Sequence, residues 1–565
     1  MATVATKRIA YREVEGAARV FTPEFDDFLL QMHDQFAPRI DHLMNRRREV
    51  LDKALQEGIL PNHLPPSEAT TGDWKVAPYP EELNRRGIEI SGPASITGMF
   101  INALNPGPEG ERAEGDLDDD EDSAGHRLVD TVNAAINRQE AVEGTLSFFD
   151  AEKGKQYSLR EGEIPFFMHR ERGLHLSEPE FKIDGNPVKA SILGTALTLF
   201  HVGRAQAERG QGIYFYIPKL ESAEEAAYWK DFFDAARDRL AHLKDAVIKA
   251  IPLIESLPAA YQMEEILYAL QPYGVGLNAA RWDYQASILE FVMSDPDSVW
   301  PDRFGVDIKT THFLGNGFRR LVAICLKRGG IPIGGMATAL PSKDDEVNRQ
   351  AAAAIRKDKV WEAQQGFLRG WVAHIFHMKT AADPFRELHA SGWTPDAGMS
   401  VPENYPLEIK VPEGPITILG TRRNARTMLE YLEGWLGGRG AKGIDSMAAQ
   451  SGSYPALMED LATARISVAQ IAQRIRHGAR DQDTGTKHGF ALVKKLLEEE
   501  LDSILELGKS AGLAPELYEI AALRYRKAFK VALRWIKNYV DLNFRALGTY
   551  SRRDLEGIAD EPDAF

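Results

Sequence analysis

Charged side chains close several of the apolar runs in the middle of this sequence. If the runs are parallel strands, their carboxyl ends meet at one edge of the fold, so charges from distant positions come together there. A single charge of this kind is usually an ordinary loop residue. Four runs that end alike favour a site in which acidic and basic groups act together. The four residues are Arg170, Lys219, Glu255 and Asp283.

The apolar runs that carry these charges have the length and composition of strands buried on both faces. Helical stretches such as residues 223–240 lie between them. This alternation predicts an α/β fold, a (β/α) barrel. The predicted strands are the runs 144–149, 163–170, 212–219, 246–255, 274–283, 329–340 and 370–378.

Helical sequence flanks the predicted barrel on both sides. Residues 20–60 place apolar side chains at three-and-four spacing, which is typical of an amphipathic helix. The triplet Arg46, Arg47 and Arg48 falls beside this pattern, and we interpret it as a solvated helix face. The predicted units are an N-terminal helical region at 1–90, the barrel at 91–400 and an all-helical region at 401–565.

The composition excludes several classes of protein. The 565 residues include 68 basic and 83 acidic side chains, a net charge of −15 that argues against nucleic acid as the main partner. No apolar run reaches the ~18 residues of a membrane span, and the start lacks the apolar stretch of a secretory signal. Cys325 is the only cysteine, so neither an intrachain disulfide nor a cysteine zinc cluster can form. We expect a cytoplasmic protein.

Longer blocks of the sequence closely resemble malate synthases of the shorter A-type, in the same order along the chain. Blocks of this length are far more specific than a short glycine motif. They are SGPASITGMFINALN (91–105), GIYFYIPKLES (212–222), IKAIPLIESLPAAYQMEEILYAL (248–270), VGLNAARWDY (275–284), IGGMATALPSKDDEVN (333–348) and ALMEDLATARIS (456–467).

The resemblance implies both a fold and a reaction. The implied fold is a TIM barrel with an N-terminal helical clasp and a C-terminal helical domain that caps the active site. The implied reaction is the Mg²⁺-dependent condensation of acetyl-CoA with glyoxylate, followed by hydrolysis of the thioester, to give malate and CoA. Such a condensation needs a base, a positive group for the enolate oxygen and a polarised carbonyl.

The resemblance also assigns roles to single residues. Asp460 matches the family's catalytic base, and Arg170 matches the arginine that stabilises developing negative charge. Glu255 and Asp283 match the two magnesium-binding carboxylates. The remaining implied contacts are the backbone amides around Ala280, Arg281 and Trp282 for the glyoxylate carboxylate, and Pro341, Ser342 and Lys343 for CoA. Ala280 stands where the A-type pattern has glycine.

The acidic segment, residues 106–126, departs from the family pattern. The family has an apolar strand before its Glu-Asp-Ser tract, whereas this chain has the run Asp116, Asp118, Asp119 and Asp120. Unpaired buried carboxylates cost several kcal/mol each, so we expect a solvated loop here, the alternative being a cation or basic partner that neutralises the run. An ungapped match to the family's Glu-Asp-Ser tract places Glu121 at the position of the family's acid that lies beside the magnesium-bound waters.

A second departure lies at residues 366–378. Phe367 and Leu368 replace a His-Asp pair of the family. His374 and His377 are three residues apart on a predicted strand and would face opposite sides, so we interpret them as packed or loop histidines rather than a metal pair.

Two other functions remain compatible with these residues. One is a non-catalytic protein of the same fold that binds a partner through its acidic segment. The other is a lyase or thioesterase that acts on malyl-CoA-type compounds and does not need Asp460 as a condensing base. The residues Arg170, Glu255, Asp283 and Asp460 together favour the condensing enzyme, which acts on acetyl-CoA and glyoxylate or on another pair of acyl-CoA and 2-oxoacid.

Overall fold

The computed structural model describes residues 3–151, 154–444, 455–510, 514–544, 555 and 557–565. The strands are β1 (Thr3–Ala5), β2 (Ile9–Arg12), β3 (Gly87–Gly92), β4 (Gly115–Asp119), β5 (Ser147–Asp150), β6 (Lys155–Ser158), β7 (Phe166–Arg170), β8 (Ser177–Ile183), β9 (Asn186–Lys189), β10 (Ile213–Ile217), β11 (Ile248–Ile254), β12 (Gly276–Ala279), β13 (Ile331–Ala337), β14 (Arg369–Val372), β15 (Lys442–Ile444) and β16 (Leu457–Glu459).

The helices of these residues complete the architecture. They are α1 (Ala17–Val20), α2 (Pro23–Glu57), α3 (Glu68–Thr71), α4 (Thr97–Leu104), α5 (Leu128–Glu143), α6 (Ala190–Leu197), α7 (Gly203–Glu208), α8 (Ala223–Arg239), α9 (Leu257–Tyr261), α10 (Met263–Ala269), α11 (Arg281–Phe291), α12 (His312–Arg328), α13 (Asp345–Gln365), α14 (Met378–Ala390), α15 (Ile418–Leu436), α16 (Leu461–His477), α17 (Phe490–Ser510) and α18 (Pro515–Val540). None of the described helices is both long enough and apolar enough to cross a membrane.

A closed parallel barrel forms the centre of the described chain. Its strands follow each other in the order β3, β4, β7, β10, β11, β12, β13 and β14, and β14 pairs with β3. Apolar side chains from these strands, among them Leu117, Met168, Leu253 and Trp371, form one buried cluster. The predicted (β/α) barrel is confirmed. The expected boundary between residues 90 and 91 falls within β3.

The long helix α2 packs its apolar face on the barrel helices α6 and α8. It begins because the Thr22 side chain accepts a hydrogen bond from the Phe25 N–H and Pro23 occupies the first turn. The predicted apolar side chains are buried, and the Phe36 ring lies 5.0 Å from that of Phe232. This packing fixes α2 beside the carboxyl end of β10.

Helices α15 to α18 pack together at the C-terminal end of the chain. Helix α16 lies against α11, which directly follows barrel strand β12. The N-terminus of α16 therefore faces the carboxyl ends of the barrel strands. Residues 445–454, between β15 and β16, lie outside the described chain.

The expectation of a solvated loop at the acidic segment is wrong, because this segment supplies barrel strand β4. All five residues of β4 are buried. Leu117 joins the barrel interior, and the Asp118 carboxylate is held by Arg138 Nε of α5 at 2.5 Å and by His169 Nδ1 of β7 at 2.8 Å. A basic partner makes the burial possible. The sequence pattern alone did not show that Arg138 would face the strand.

Several predicted strands differ in place or length. Residues 144–149 do not form a barrel strand, since β5 pairs only with β6 among the described strands and exposes Phe149. The place between β14 and β7 is taken by β3 and β4, neither of which was predicted as a strand. The run 274–283 ends at Ala279, where helix α11 follows, and the run 370–378 ends at Val372. His374 caps a 3₁₀ turn that ends at the buried His377, so neither residue lies on a strand.

Candidate active site

Acidic and basic side chains from distant positions gather at the carboxyl end of the barrel. They surround a cavity of about 330 Å³, here called the mouth cavity, which several charged residues line. Arg170 ends β7, Glu255 follows β11 and Asp283 lies in the first turn of α11. The charged residues that line the mouth cavity include Asp122, Arg170, Glu255, Asp283 and Asp460.

Three carboxylates form a cluster that could hold a metal ion. Asp122, Glu255 and Asp283 are buried, and each offers an oxygen within 4.8 Å of the others. Glu121 beside them is fully buried, and among the described residues no donor makes a hydrogen bond of normal geometry to its carboxylate. Buried carboxylates grouped this closely suit a hard divalent cation. Burial raises the pKa of Glu255 to about 7, although the ammonium of Lys219 opposes this shift.

Lys219 places its ammonium among these carboxylates. Its Nζ lies 2.5 Å from Asp283 Oδ2, 3.1 Å from both oxygens of Asp122 and 3.3 Å from Glu255 Oε2. Its backbone N–H donates to Glu255 Oε1 at 2.6 Å, and its φ of +54° lies in the left-handed region. Although burial opposes it, the surrounding carboxylates hold the pKa of Lys219 well above the ordinary lysine value. The ammonium therefore offsets part of the negative charge.

Arg170 is held by a carboxylate from the neighbouring strand. Its Nε and Nη2 donate to Asp119 at 2.7 Å each, and its Nη1 lies 3.3 Å from Asp122 Oδ2. The guanidinium also lies 5.6 Å from the centre of the Trp371 ring. Asp119 accepts the N–H of Glu121 at 2.9 Å and that of Ser123 at 2.8 Å, which shapes the loop after β4. Despite burial, these contacts lower the pKa of Asp119 to about 2.

Asp460 reaches the mouth cavity from the C-terminal helices. It caps α16, because its Oδ1 accepts the Ala462 N–H at 3.1 Å, and it is only partly exposed. Burial and the nearby carboxylates of Asp122 and Asp283 hold the pKa of Asp460 well above the ordinary aspartate range. A carboxylate with a raised pKa is a stronger base once it is deprotonated.

The start of α11 borders the same cavity. The first N–H groups of a helix have no acceptor within the helix, and they attract anions. The Ala280 N–H, however, donates to the Ile254 carbonyl at 3.4 Å, whereas Arg281 and Trp282 open the helix. The Arg281 guanidinium lies 4.4 Å from the centre of the Trp282 ring. This helix start suits a small carboxylate.

Comparison with known proteins gives a consistent family. The models of the malate synthase N-terminal domain, TIM barrel domain and C-terminal region match residues 5–69, 166–392 and 416–550. A malate synthase of Myxococcus xanthus is 38% identical over 497 residues, which are 87% of this chain and 87% of that protein. This chain belongs to the malate synthase family. Malate synthase A of Escherichia coli is 35% identical over 88% of this chain and 90% of its own length, and a glyoxysomal malate synthase of Gossypium hirsutum is 34% identical over 88% and 86%.

For this malate synthase family member, most residues that the sequence singled out lie together. Arg170, Glu255, Asp283 and Asp460 line the mouth cavity, and so do Ala280, Arg281 and Trp282. Glu121 lies next to the cluster, 3.3 Å from Lys219 Nζ. Pro341, Ser342 and Lys343 do not line this cavity. They lie in the loop before α13, and the Ser342 N–H donates to Asn348 Oδ1 of that helix at 2.7 Å.

Sequence reasoning missed three residues of this family member's site. Asp122 stands in the Glu-Asp-Ser tract, and only Glu121 of that tract was assigned. Arg465 lies in the same resembling block as Asp460, and its Nη1 donates to Asp283 Oδ1 at 2.9 Å. The interpretation of Arg47 as a solvated residue is wrong, because it is largely buried against Glu225 and the Lys219 carbonyl. For Arg47, the arginine triplet is the only signal in the sequence.

Proposed function

We propose that this chain condenses acetyl-CoA with glyoxylate and then hydrolyses the thioester, which gives malate and CoA. One observation carries the proposal: Asp460, from the C-terminal helices, lines the same cavity as Arg170 and the carboxylates of the barrel. Membership of the malate synthase family supports the choice of reaction and substrates. A lyase or thioesterase would not require an acid from the C-terminal helices at this position.

We propose further that Asp122, Glu255 and Asp283 hold Mg²⁺. The donors are hard carboxylate oxygens, and three of them leave coordination positions for water and for a bidentate 2-oxoacid. When bound, the cation would supply Lewis-acid polarisation of the glyoxylate carbonyl. The buried carboxylate of Glu121, whose Oε2 lies 3.3 Å from Lys219 Nζ, fits a role as acceptor for water beside the ion.

The residues of the mouth cavity divide the chemistry between them. Asp460 accepts a proton from the methyl group of acetyl-CoA, and Arg170 donates hydrogen bonds to the negative charge that develops on oxygen. The resulting carbon nucleophile forms a bond with the aldehyde carbon of glyoxylate, the π electrons of the aldehyde C=O move to its oxygen, and that oxygen takes up a proton to become the hydroxyl of malate. Water then cleaves the carbon–sulfur bond, and CoA leaves as the thiol. Because α16 covers the barrel, the base and the electrophile lie within one cavity.

Substrate positions follow from the same geometry. The N–H groups at the start of α11, around Arg281 and Trp282, would hold the glyoxylate carboxylate. We propose that CoA passes along the apolar part of the mouth cavity, where Trp361 and Ile355 line the wall. The loop of Pro341, Ser342 and Lys343 would then contact the outer part of CoA.

The test is thiol release with a panel of acyl-CoA and 2-oxoacid pairs, with and without Mg²⁺. We expect release from acetyl-CoA only when glyoxylate and the cation are both present, with malate as the product. Thiol release from malyl-CoA without any condensation would instead identify a thioesterase. Absence of turnover in every combination, from folded protein, would overturn the proposal in favour of a non-catalytic protein.

A further inference from the structure

Arg47 connects the N-terminal helix α2 to the proposed metal site. Its Nε and Nη2 donate to the two oxygens of Glu225 at 2.6 Å each, and Nη2 also donates to the Lys219 carbonyl at 2.6 Å. Glu225 is almost completely buried in the first turn of α8. The neighbouring Arg46, in contrast, is exposed, and its one ion pair within the described part of the chain is with Glu49 on its own helix. Groups outside α2 therefore hold the Arg47 side chain in one position.

Arg47 contacts Lys219, a residue whose backbone conformation is unusual. Lys219 has a φ of +54°, in the left-handed region that residues with a Cβ seldom adopt. Such a conformation persists only where its surroundings hold it. The Lys219 carbonyl is held by Arg47, and the Lys219 N–H is held by Glu255 Oε1 at 2.6 Å. The same residue extends its ammonium to Asp122 and Asp283.

We propose that Arg47 is a positioning residue for the carboxylate cluster. By holding the Lys219 carbonyl, it keeps Lys219 left-handed, and this conformation points the Lys219 N–H at Glu255, one of the proposed metal ligands. Without Arg47, Lys219 relaxes to an ordinary backbone conformation and its N–H turns away from Glu255. The cluster then loses the arrangement that binds a divalent cation. The inference rests on the proposed metal site, and it adds the N-terminal helix to that site.

The sign of the effect separates positioning from simple charge. Arg47 is positive, and it also holds Lys219, whose ammonium lies 2.5 Å from Asp283 Oδ2 and competes with a cation. If Arg47 acted only through these charges, its removal would strengthen the binding of a cation. Positioning predicts the opposite, weaker binding. Arg47→Lys sharpens the test because it keeps the charge beside Glu225, but a single ammonium cannot reproduce the fork on Glu225 together with the bond to the Lys219 carbonyl.

The experiment measures Mn²⁺ binding to the full chain without substrates, by calorimetry and by the electron paramagnetic resonance signal of free Mn²⁺. We expect the dissociation constant to rise about 5- to 30-fold in Arg47→Met and in Arg47→Lys, about 1 to 2 kcal/mol. Arg46→Met, on the same helix, should change it less than about two-fold. In the same variants kcat should fall more than KM for acetyl-CoA changes.

Arg328→Lys controls for a loss of stability alone. Arg328 is also a buried arginine that pairs with a glutamate, Glu264 at 2.6 Å, and it fixes an N-terminal segment through the Gly72 carbonyl, but it lies outside the mouth cavity. This variant should lower the melting temperature and leave Mn²⁺ affinity unchanged.

Unchanged or tighter Mn²⁺ binding in Arg47→Lys would overturn the inference, and so would an equal loss in Arg328→Lys. If Arg47→Met does not fold, Arg47→Lys decides. The binding assay needs no turnover, so it remains decisive even if the acyl-CoA panel shows that the proposed condensation is wrong.

Discussion

Asp460 combines a structural and a proposed chemical role in one side chain. One oxygen caps α16, and the carboxyl group faces the mouth cavity. Its two neighbours in that cavity, Asp122 and Asp283, are negative, and together with burial they raise its pKa. The residue that caps α16 thereby also has the raised pKa that suits its proposed role, the removal of a weakly acidic proton.

Asp460→Asn should lower kcat by about 10²- to 10⁴-fold, because the amide cannot accept the proton of the acetyl methyl group. The measurement is steady-state thiol release, together with exchange of the methyl protons of acetyl-CoA in deuterium oxide. Asp344→Asn is the matched control, since Asp344 caps α13 in the same way and lies outside the cavity. Full methyl exchange in Asp460→Asn would remove this residue from the mechanism.

Strand β4 shows how an acidic sequence can form part of a barrel. Asp118 and Asp120 both pair with Arg138, and Glu171 of the same group lies 2.8 Å from Arg138 Nη1. Asp116 differs, because it is fully buried and neither of its oxygens has a hydrogen-bond partner among the residues that the structure describes. One strand therefore carries a compensated and an uncompensated carboxylate.

Asp116→Asn should stabilise the protein, and the gain should grow with pH. Burial, reinforced by Asp118, raises the pKa of Asp116 in the folded chain. The folded state therefore binds more protons than the unfolded state above about pH 4, and stability falls as the pH rises through the folded pKa. The amide of Asp116→Asn carries no charge, so this loss of stability at higher pH does not occur in the variant. We expect about 1–2 kcal/mol at pH 8 and much less at pH 5, measured as melting temperatures at both values.

Asp118→Asn is the opposing variant on the same strand. It leaves Arg138 without a full partner in a buried setting, which should cost about 3–5 kcal/mol and lower the melting temperature at both pH values. Equal effects of the two substitutions would contradict the distinction between a paired and an unpaired aspartate.

At the scale of the whole molecule, all three parts of the chain contribute to the mouth cavity or to the groups that support it. The barrel supplies the carboxylates, and the C-terminal helices supply Asp460 to the cavity and Arg465 to Asp283. Arg47 of the N-terminal helix contacts the Lys219 carbonyl beside the carboxylate cluster. Arg465 links Asp283 to Glu290, and Glu290 also accepts the hydroxyl of Tyr539 on α18 at 2.8 Å. The site is thus completed by docking of domains rather than by the barrel alone.

Mg²⁺ should stabilise the whole chain, because its proposed ligands come from the loop after β4, the end of β11 and the start of α11. At 100 times the dissociation constant, the expected stabilisation is about 2.7 kcal/mol. The check is the melting temperature of metal-stripped protein as Mg²⁺ is added. Asp283→Asn should abolish the shift, whereas Asp130→Asn, which removes a buried acid paired with Arg127, should keep it. A shift that persists in Asp283→Asn would contradict the proposed ligand set.

The sequence by itself determined the barrel, the amphipathic face of α2 and the strand-end charges Arg170 and Glu255. These follow from local periodicity and from one rule of the fold, that parallel strands present their carboxyl ends at the same edge. The family resemblance added the expectation that Asp460 would lie near them.

Only the tertiary structure decided the rest. Burial of β4 depends on Arg138, which is 18 residues from Asp120, and the burial of Arg47 depends on Glu225, 178 residues away. Whether a charged side chain is solvated or buried is set by the partner that faces it, and a local pattern carries no information about a partner brought close only by folding.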